Sequence, residues 1–122
     1  MAQIKIYGIK EHLNQIKATL SDVIHSCVVD ALHYPQGKRA HRFIGLEPED
    51  FYYPAGRTDR YIIIEISMFE GRSTEAKKRL IRLLFERISA QLAISTQDIE
   101  MTILRRPGTT GACAGCRVMR LA

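Results

Sequence analysis

The chain has no tryptophan, three cysteines and four prolines, and its aromatic content is 7%. No apolar run approaches the ~20 residues that a membrane helix needs, which excludes a helical span. The first residues, MAQIKIYGIKEHL, lack a basic stretch followed by an apolar one, so no secretory signal is read there. Three cysteines without an export signal argue against a disulfide framework and make a reducing cytosol the expected compartment. What remains is 122 residues of ordinary globular composition, 46% hydrophobic and 25% charged, enough for one domain with a substantial core.

Eighteen Lys and Arg against 13 Asp and Glu give a net charge of +5. Such an excess can signal nucleic-acid binding. Here most of it comes from Arg105, Arg106, Arg117 and Arg120, in a terminal stretch without an acid, and residues 1–104 carry about +1. A body so close to neutral gives a nucleic-acid role little support, and no nucleic-acid partner is expected.

Residues 3–8 alternate polar and apolar as a strand does. Leu13, Ile16, Leu20, Val23, Ile24, Cys27, Val28, Ala31 and Leu32 follow at spacings of three and four, the stripe of an amphipathic helix that ends at His33-Tyr34-Pro35. Gln36-Gly37 predicts a turn, and Ala40 to Leu46 a second strand. The segment from Pro48 to Gly56 reads as irregular, with Tyr52 and Tyr53 expected to pack between the halves. YIIIEISMF at 61–69 suits a central buried strand. Ser73 is a good N-cap for a second helix, and Ala76, Leu80, Leu83, Leu84, Ile88 and Leu92 mark its core stripe. Lys77, Lys78, Arg79 and Arg82 then read as its solvated side. Ile99, Met101 and Ile103 alternate as a fourth strand.

The two halves match. Strand starts are 38 residues apart in the first (3 to 41) and 37 in the second (61 to 98). A helix between two strands at that spacing is the crossover of parallel strands, so the predicted fold class is α/β (α+β), a tandem β-α-β pseudo-repeat. Residues 1–107 form a single domain with halves 1–56 and 57–107. Two helices cover one face of the four-stranded sheet, and Ile and Leu on the other predict self-association. His12, His25 and His33 at the first helix and His41 on a strand have no acid at ligand spacing, so no metal site is expected. Cys27 falls in the apolar stripe and should be buried.

The helix ending in Tyr34-Pro35, the segment FIGLEPEDFYYP at 43–54 and EISMFEGRSTEAKKRLIRLLFERI at 65–88 resemble the tautomerase superfamily over residues 2–107. Its relatives include 4-oxalocrotonate tautomerase, malonate semialdehyde decarboxylase and macrophage migration inhibitory factor. The resemblance implies a homotrimer, no cofactor, and an amino-terminal proline that moves a proton between enol and keto forms of a small carboxylate. An apolar pocket helps to keep such an amine unprotonated. Here Ala2 stands at the proline's place, and only removal of Met1 would expose its amine. Arg72 matches the family arginine after the third strand and is the candidate carboxylate binder. Glu70 and Lys38 occupy positions where the decarboxylase branch carries an arginine and an acid, which disfavours decarboxylation. His41, Arg42 and Arg57 are further candidate substrate-binding residues, and Arg60 could join them. The function expected is enol–keto proton transfer on a small 2-oxo or enol carboxylate, weak or absent without the proline. The alternative is a non-enzymatic oligomeric module that binds a small molecule or a protein.

The tail at 108–122, GTTGACAGCRVMRLA, departs from the H-N-W-G-x-R-G-x-P-G-D-E pattern of related chains. One choice of codons for Gly108 to Leu121, read two bases later, spells H-N-W-G-L-R-G-L-P-G-D-E-A. We therefore expect this segment to be frameshifted and irregular. Cys113-Ala114-Gly115-Cys116 would then be an accidental pair, and alone it supplies too few ligands for zinc.

Overall fold

The computed structural model describes residues 2–69, 71–106 and 119–121, with Arg106 and 119–121 described by backbone alone. Strand β1 (Gln3–Ile9) runs directly into helix α1 (Lys10–Leu32), and β2 (His41–Leu46) follows. After an irregular connection come β3 (Ile62–Phe69), helix α2 (Thr74–Leu92) and β4 (Ile99–Arg106), then the short β5 (Met119–Leu121). The order across the sheet is β2-β1-β3-β4-β5. Each half pairs its strands in parallel, β1 with β2 and β3 with β4, whereas β1 and β3 join the halves antiparallel. The doubled β-α-β reading is thus the observed topology. One correction falls in the tail: Met119–Leu121 pairs antiparallel with β4, where an irregular segment was expected. Pro107 to Val118, including the C-x-x-C pair, and Glu70 lie outside the described residues.

Both helices close where the chain turns left-handed, at His33 (φ 54°) and Ala93 (φ 55°). Ser73 caps α2 as its sequence suggests, its side chain accepting from the Ala76 amide at 3.0 Å. Helices α1 and α2 pack on each other and on one sheet face, burying Ile4 and Ile6, Ile62, Ile64, Ile66 and Met68, and Leu80, Leu84 and Ile88 in one cluster. Alternation along β1 and β3 is strict, which is why period two was readable there. Cys27 is fully buried, and burial pushes its thiol pKa up.

The opposite face is less apolar than expected. By register it carries Lys5, Tyr7, Glu65, Ser67, Glu100 and Thr102 beside Ile44, Leu46, Ile63 and Leu104. Tyr7 donates to Glu65 at 2.9 Å, and Tyr61 to Glu100 at 2.7 Å. Two surface readings also change. Lys77 is buried, because its stem lies against the core side of α2. Tyr52 is 88% exposed, and Tyr53 instead packs with Phe51 and Tyr61.

Leu84 has no exposed surface and sits between the helix pair and the sheet. Leu84→Ala should cost about 3 kcal/mol in unfolding free energy by urea titration. A loss below about 1 kcal/mol would mean that this core is not packed as described.

Candidate active site at the start of the first strand

Antiparallel pairing places the start of β1 beside the end of β3: Gln3 opposes Ser67. The parallel crossover returns the end of α1 to the same edge, since Ile4 opposes His41 in β2. Ala2, Leu32, Tyr34, Met68, Phe69, Gly71 and Arg72 therefore surround one cavity of about 360 Å3. Its floor is apolar; Ala2, Leu32 and Met68 are all buried.

Arg72 is delivered by Gly71, whose φ of 115° suits glycine and lets the chain turn sharply between β3 and α2. A cation beside the start of α2 would be disfavoured by that helix's dipole. The guanidinium points elsewhere. It donates to the Leu32 carbonyl at the end of α1, at 3.0 Å, and lies 5.6 Å from the centre of the Tyr34 ring. The carbonyl end of one helix and an aromatic face thus hold the arginine that leads into the other. One of its five N–H groups is engaged by Leu32, and the planar fork retains the donors a carboxylate requires.

The Ala2 N–H donates to the Tyr34 hydroxyl in a buried hydrogen bond. Tyr34 was overlooked as a site residue. In the sequence it marks only the end of a helix, and nothing local shows that this end returns to the chain's start. The crossover rule could have shown it, because a parallel β-α-β unit brings the helix C-terminus back to the edge where its first strand begins.

The other candidates lie elsewhere. His41 and Arg42 start β2 at the same edge, but they line a separate hollow with Gln3, Ile4, Lys5 and Ala40. They also face opposite ways, as consecutive strand residues must. His41 turns to the helices, with Nδ1 2.8 Å from Ser21 Oγ and its ring 6.0 Å from that of His25. Arg42 is exposed on the uncovered face. Arg57 is at the far end of the sheet, donating to Gln97 at 2.8 Å beside the Thr58–Asp98 hydrogen bonds. Arg60 is at that far end too, bonded to the Ala93 carbonyl at 3.2 Å. Of the candidate residues, Ala2 and Arg72 share the first cavity within one protomer, and His41 and Arg42 share a different hollow. Among the described residues there is no group of three or more His, Cys, Asp or Glu that could hold a metal ion, and no helix is long and apolar enough to cross a membrane.

Burial, followed by the charges of Arg39 and His25, brings the His41 pKa down to about 4. Burial and Arg60 also lower His12. Both groups are therefore neutral in the folded protein where the unfolded chain would take up protons. The contribution of His41 to stability is complete above the ordinary histidine pKa of about 6.5 and is lost as pH falls through about 4, and His12 acts in the same direction. Lowering the pH across this window should cost on the order of 2 kcal/mol after solvent screening. His41→Gln should remove most of that slope in urea unfolding measured across the same range; an unchanged slope would contradict the assignment.

Comparison with known proteins agrees with this fold. Residues 38–109, more than half of the chain, match the Tautomerase_2 family, described as tautomerase enzyme. The probable tautomerase YusQ of Bacillus subtilis (strain 168) is 28% identical over 85 residues, covering 66% of this chain and 67% of that protein. A crystal structure of malonate semialdehyde decarboxylase superposes with a TM-score of 0.79 at 17% identity, covering 93% of this chain and 91% of that one. Native fused 4-OT gives 0.79 at 20% identity, with 93% of each chain covered. Fused 4-OT solved as an asymmetric trimer gives 0.76 at 23%, with the same coverage. These structures share the fold, and the sequence match supplies the rest: the chain belongs to the tautomerase family.

Proposed function

We propose that the cavity at Ala2 binds a small 2-oxo or enol carboxylate, and that enol–keto proton transfer there is weak or absent because Ala2 replaces the family's proline. The observation that carries this reading is the convergence of Arg72, Tyr34 and the Ala2 nitrogen on one cavity with an apolar floor. The substrate carboxylate accepts from the Arg72 guanidinium, which also stabilises charge that develops on an adjacent enolate oxygen. Ala2, Leu32 and Met68 give the substrate's carbons an apolar surface to lie against.

The nitrogen decides whether chemistry follows. With Met1 attached it is an amide, which donates to Tyr34 and has no basic lone pair. The cavity then binds without catalysing, which favours the second reading, a non-enzymatic binding module on the same scaffold. With Met1 removed it is a primary amine that can take the enol hydroxyl proton and return one to carbon. It lacks the rigidity and secondary-amine character of proline.

A cytosolic location and a trimer of protomers are part of the same proposal. Ile44, Leu46, Ile63 and Leu104 on the uncovered sheet face support association, as does the trimeric state of fused 4-OT. Light scattering should give three times the 13.9 kDa protomer mass; a single-protomer mass at all concentrations would refute the trimer.

Proton exchange at C3 of 2-oxobutyrate in D2O, followed by NMR, tests the chemistry. In the Met1-free protein, Ala2→Pro should raise the exchange rate by about 10²-fold or more. Arg72→Ala should weaken 2-oxobutyrate binding by about tenfold or more, the loss of a charged hydrogen bond. If neither variant changed rate or affinity, the cavity would not be the site.

A further inference from the structure

The internal repeat builds a second cavity at the opposite end of the protomer. There the start of β3 meets the end of β1 and the first turns of α1, as the start of β1 meets the end of β3 and the approach to α2 at the first. Ile9, Glu11, His12, Gln15, Asp59 and Arg60, with Pro48 and Tyr53, line about 420 Å3. The correspondence extends to the charges. Arg60 donates to the Ala93 carbonyl at the end of α2, as Arg72 donates to Leu32 at the end of α1. Each cavity thus holds a guanidinium fixed by the carbonyl end of a helix.

The two differ in what surrounds that guanidinium. Among the described lining of the first, Arg72 is the one charged side chain. In the second, Glu11 and Asp59 accompany Arg60, leaving a net negative lining. A small dianion would be repelled there, and a simple cation would leave the guanidinium unanswered. His12 adds an unmet demand: its Nδ1 is withdrawn from solvent and has no hydrogen-bond partner. Burial and Arg60 favour its neutral form, which has one accepting nitrogen.

We propose that this second cavity binds a small zwitterion of α-amino-acid type, its carboxylate on Arg60 and its ammonium group between Asp59, Glu11 and His12. Tyr53, Ile9 and Pro48 give an apolar wall for a short side chain. The site is separate from the cavity at Ala2 and does not depend on catalysis there.

The test is amide-detected NMR titration of the full chain with L-serine and L-leucine, which bracket side-chain polarity. L-lactate lacks the ammonium group and ethanolamine lacks the carboxylate. At least one amino acid should give saturable shifts at residues 9–15 and 58–60, with L-lactate and ethanolamine at least about tenfold weaker. Asp59→Asn, at an exposed position that leaves the fold intact, and Arg60→Gln should each weaken binding by about tenfold. His12→Gln should weaken it while preserving the amide spectrum elsewhere. The proposal is overturned if neither amino acid gives saturable shifts, if L-lactate binds as well, if the shifts fall at Ala2 and Arg72, or if Asp59→Asn binds unchanged.

Discussion

The antiparallel pairing of β1 with β3, with Ile6 opposite Ile64 at its centre and both side chains sealed from solvent, is the constraint on which the rest of the molecule depends. Each β-α-β half can pair its own strands in parallel. Only this seam makes one sheet of them and one core beneath two helices. Its direction matters as much as its strength. Because the strands run oppositely, the start of each lies beside the end of the other, and each helix returns its C-terminus to that corner. Two corners result, each formed by a strand start, a strand end and two helix ends.

The chemistry of the corners follows from exposed carbonyls. The last turn of a helix leaves acceptors without intrahelical donors, and the partial negative charge there attracts cations. Arg72 meets this demand for α1, and Arg60 meets it for α2. A guanidinium fixed in this way has given up little of its donor capacity and has lost the freedom that would make binding costly. At the first corner this places a fixed guanidinium beside Ala2 and Tyr34, the arrangement on which the proposed carboxylate binding rests. Alanine keeps the position small and buried but gives no secondary amine, which is why the proposed function treats binding and proton transfer separately.

Much of the fold was legible because it rests on local patterns. The strict alternation of β1 and β3 and the stripe on α2 with its Ser73 cap are period-two, period-3.6 and capping signals. The matched spacing of the halves made the parallel crossovers readable. The site was less legible, since of the candidates only Ala2 and Arg72, found through resemblance, line the cavity at the start of β1. Arg57 lies at the other end of the sheet, and its chain position between two strands does not say at which end it falls. His41 and Arg42 could have been separated by parity alone, being consecutive in a strand. Lys77 and Tyr52 show the limit of residue type as a guide: a lysine stem can lie on a core, and an aromatic ring in a loop can remain in water. The short strand at Met119–Leu121 had no period to reveal it and is defined by its pairing with β4.

The central claim, that the corner at Ala2 is a carboxylate receptor built around Arg72, is tested most directly by following the Arg72 Nε–H and Ala2 backbone NMR signals while 2-oxobutyrate is added. Both signals should move together along one saturable curve, with the Tyr34 ring protons following. Saturable binding that leaves Arg72 and Ala2 unmoved, or no binding, would contradict it.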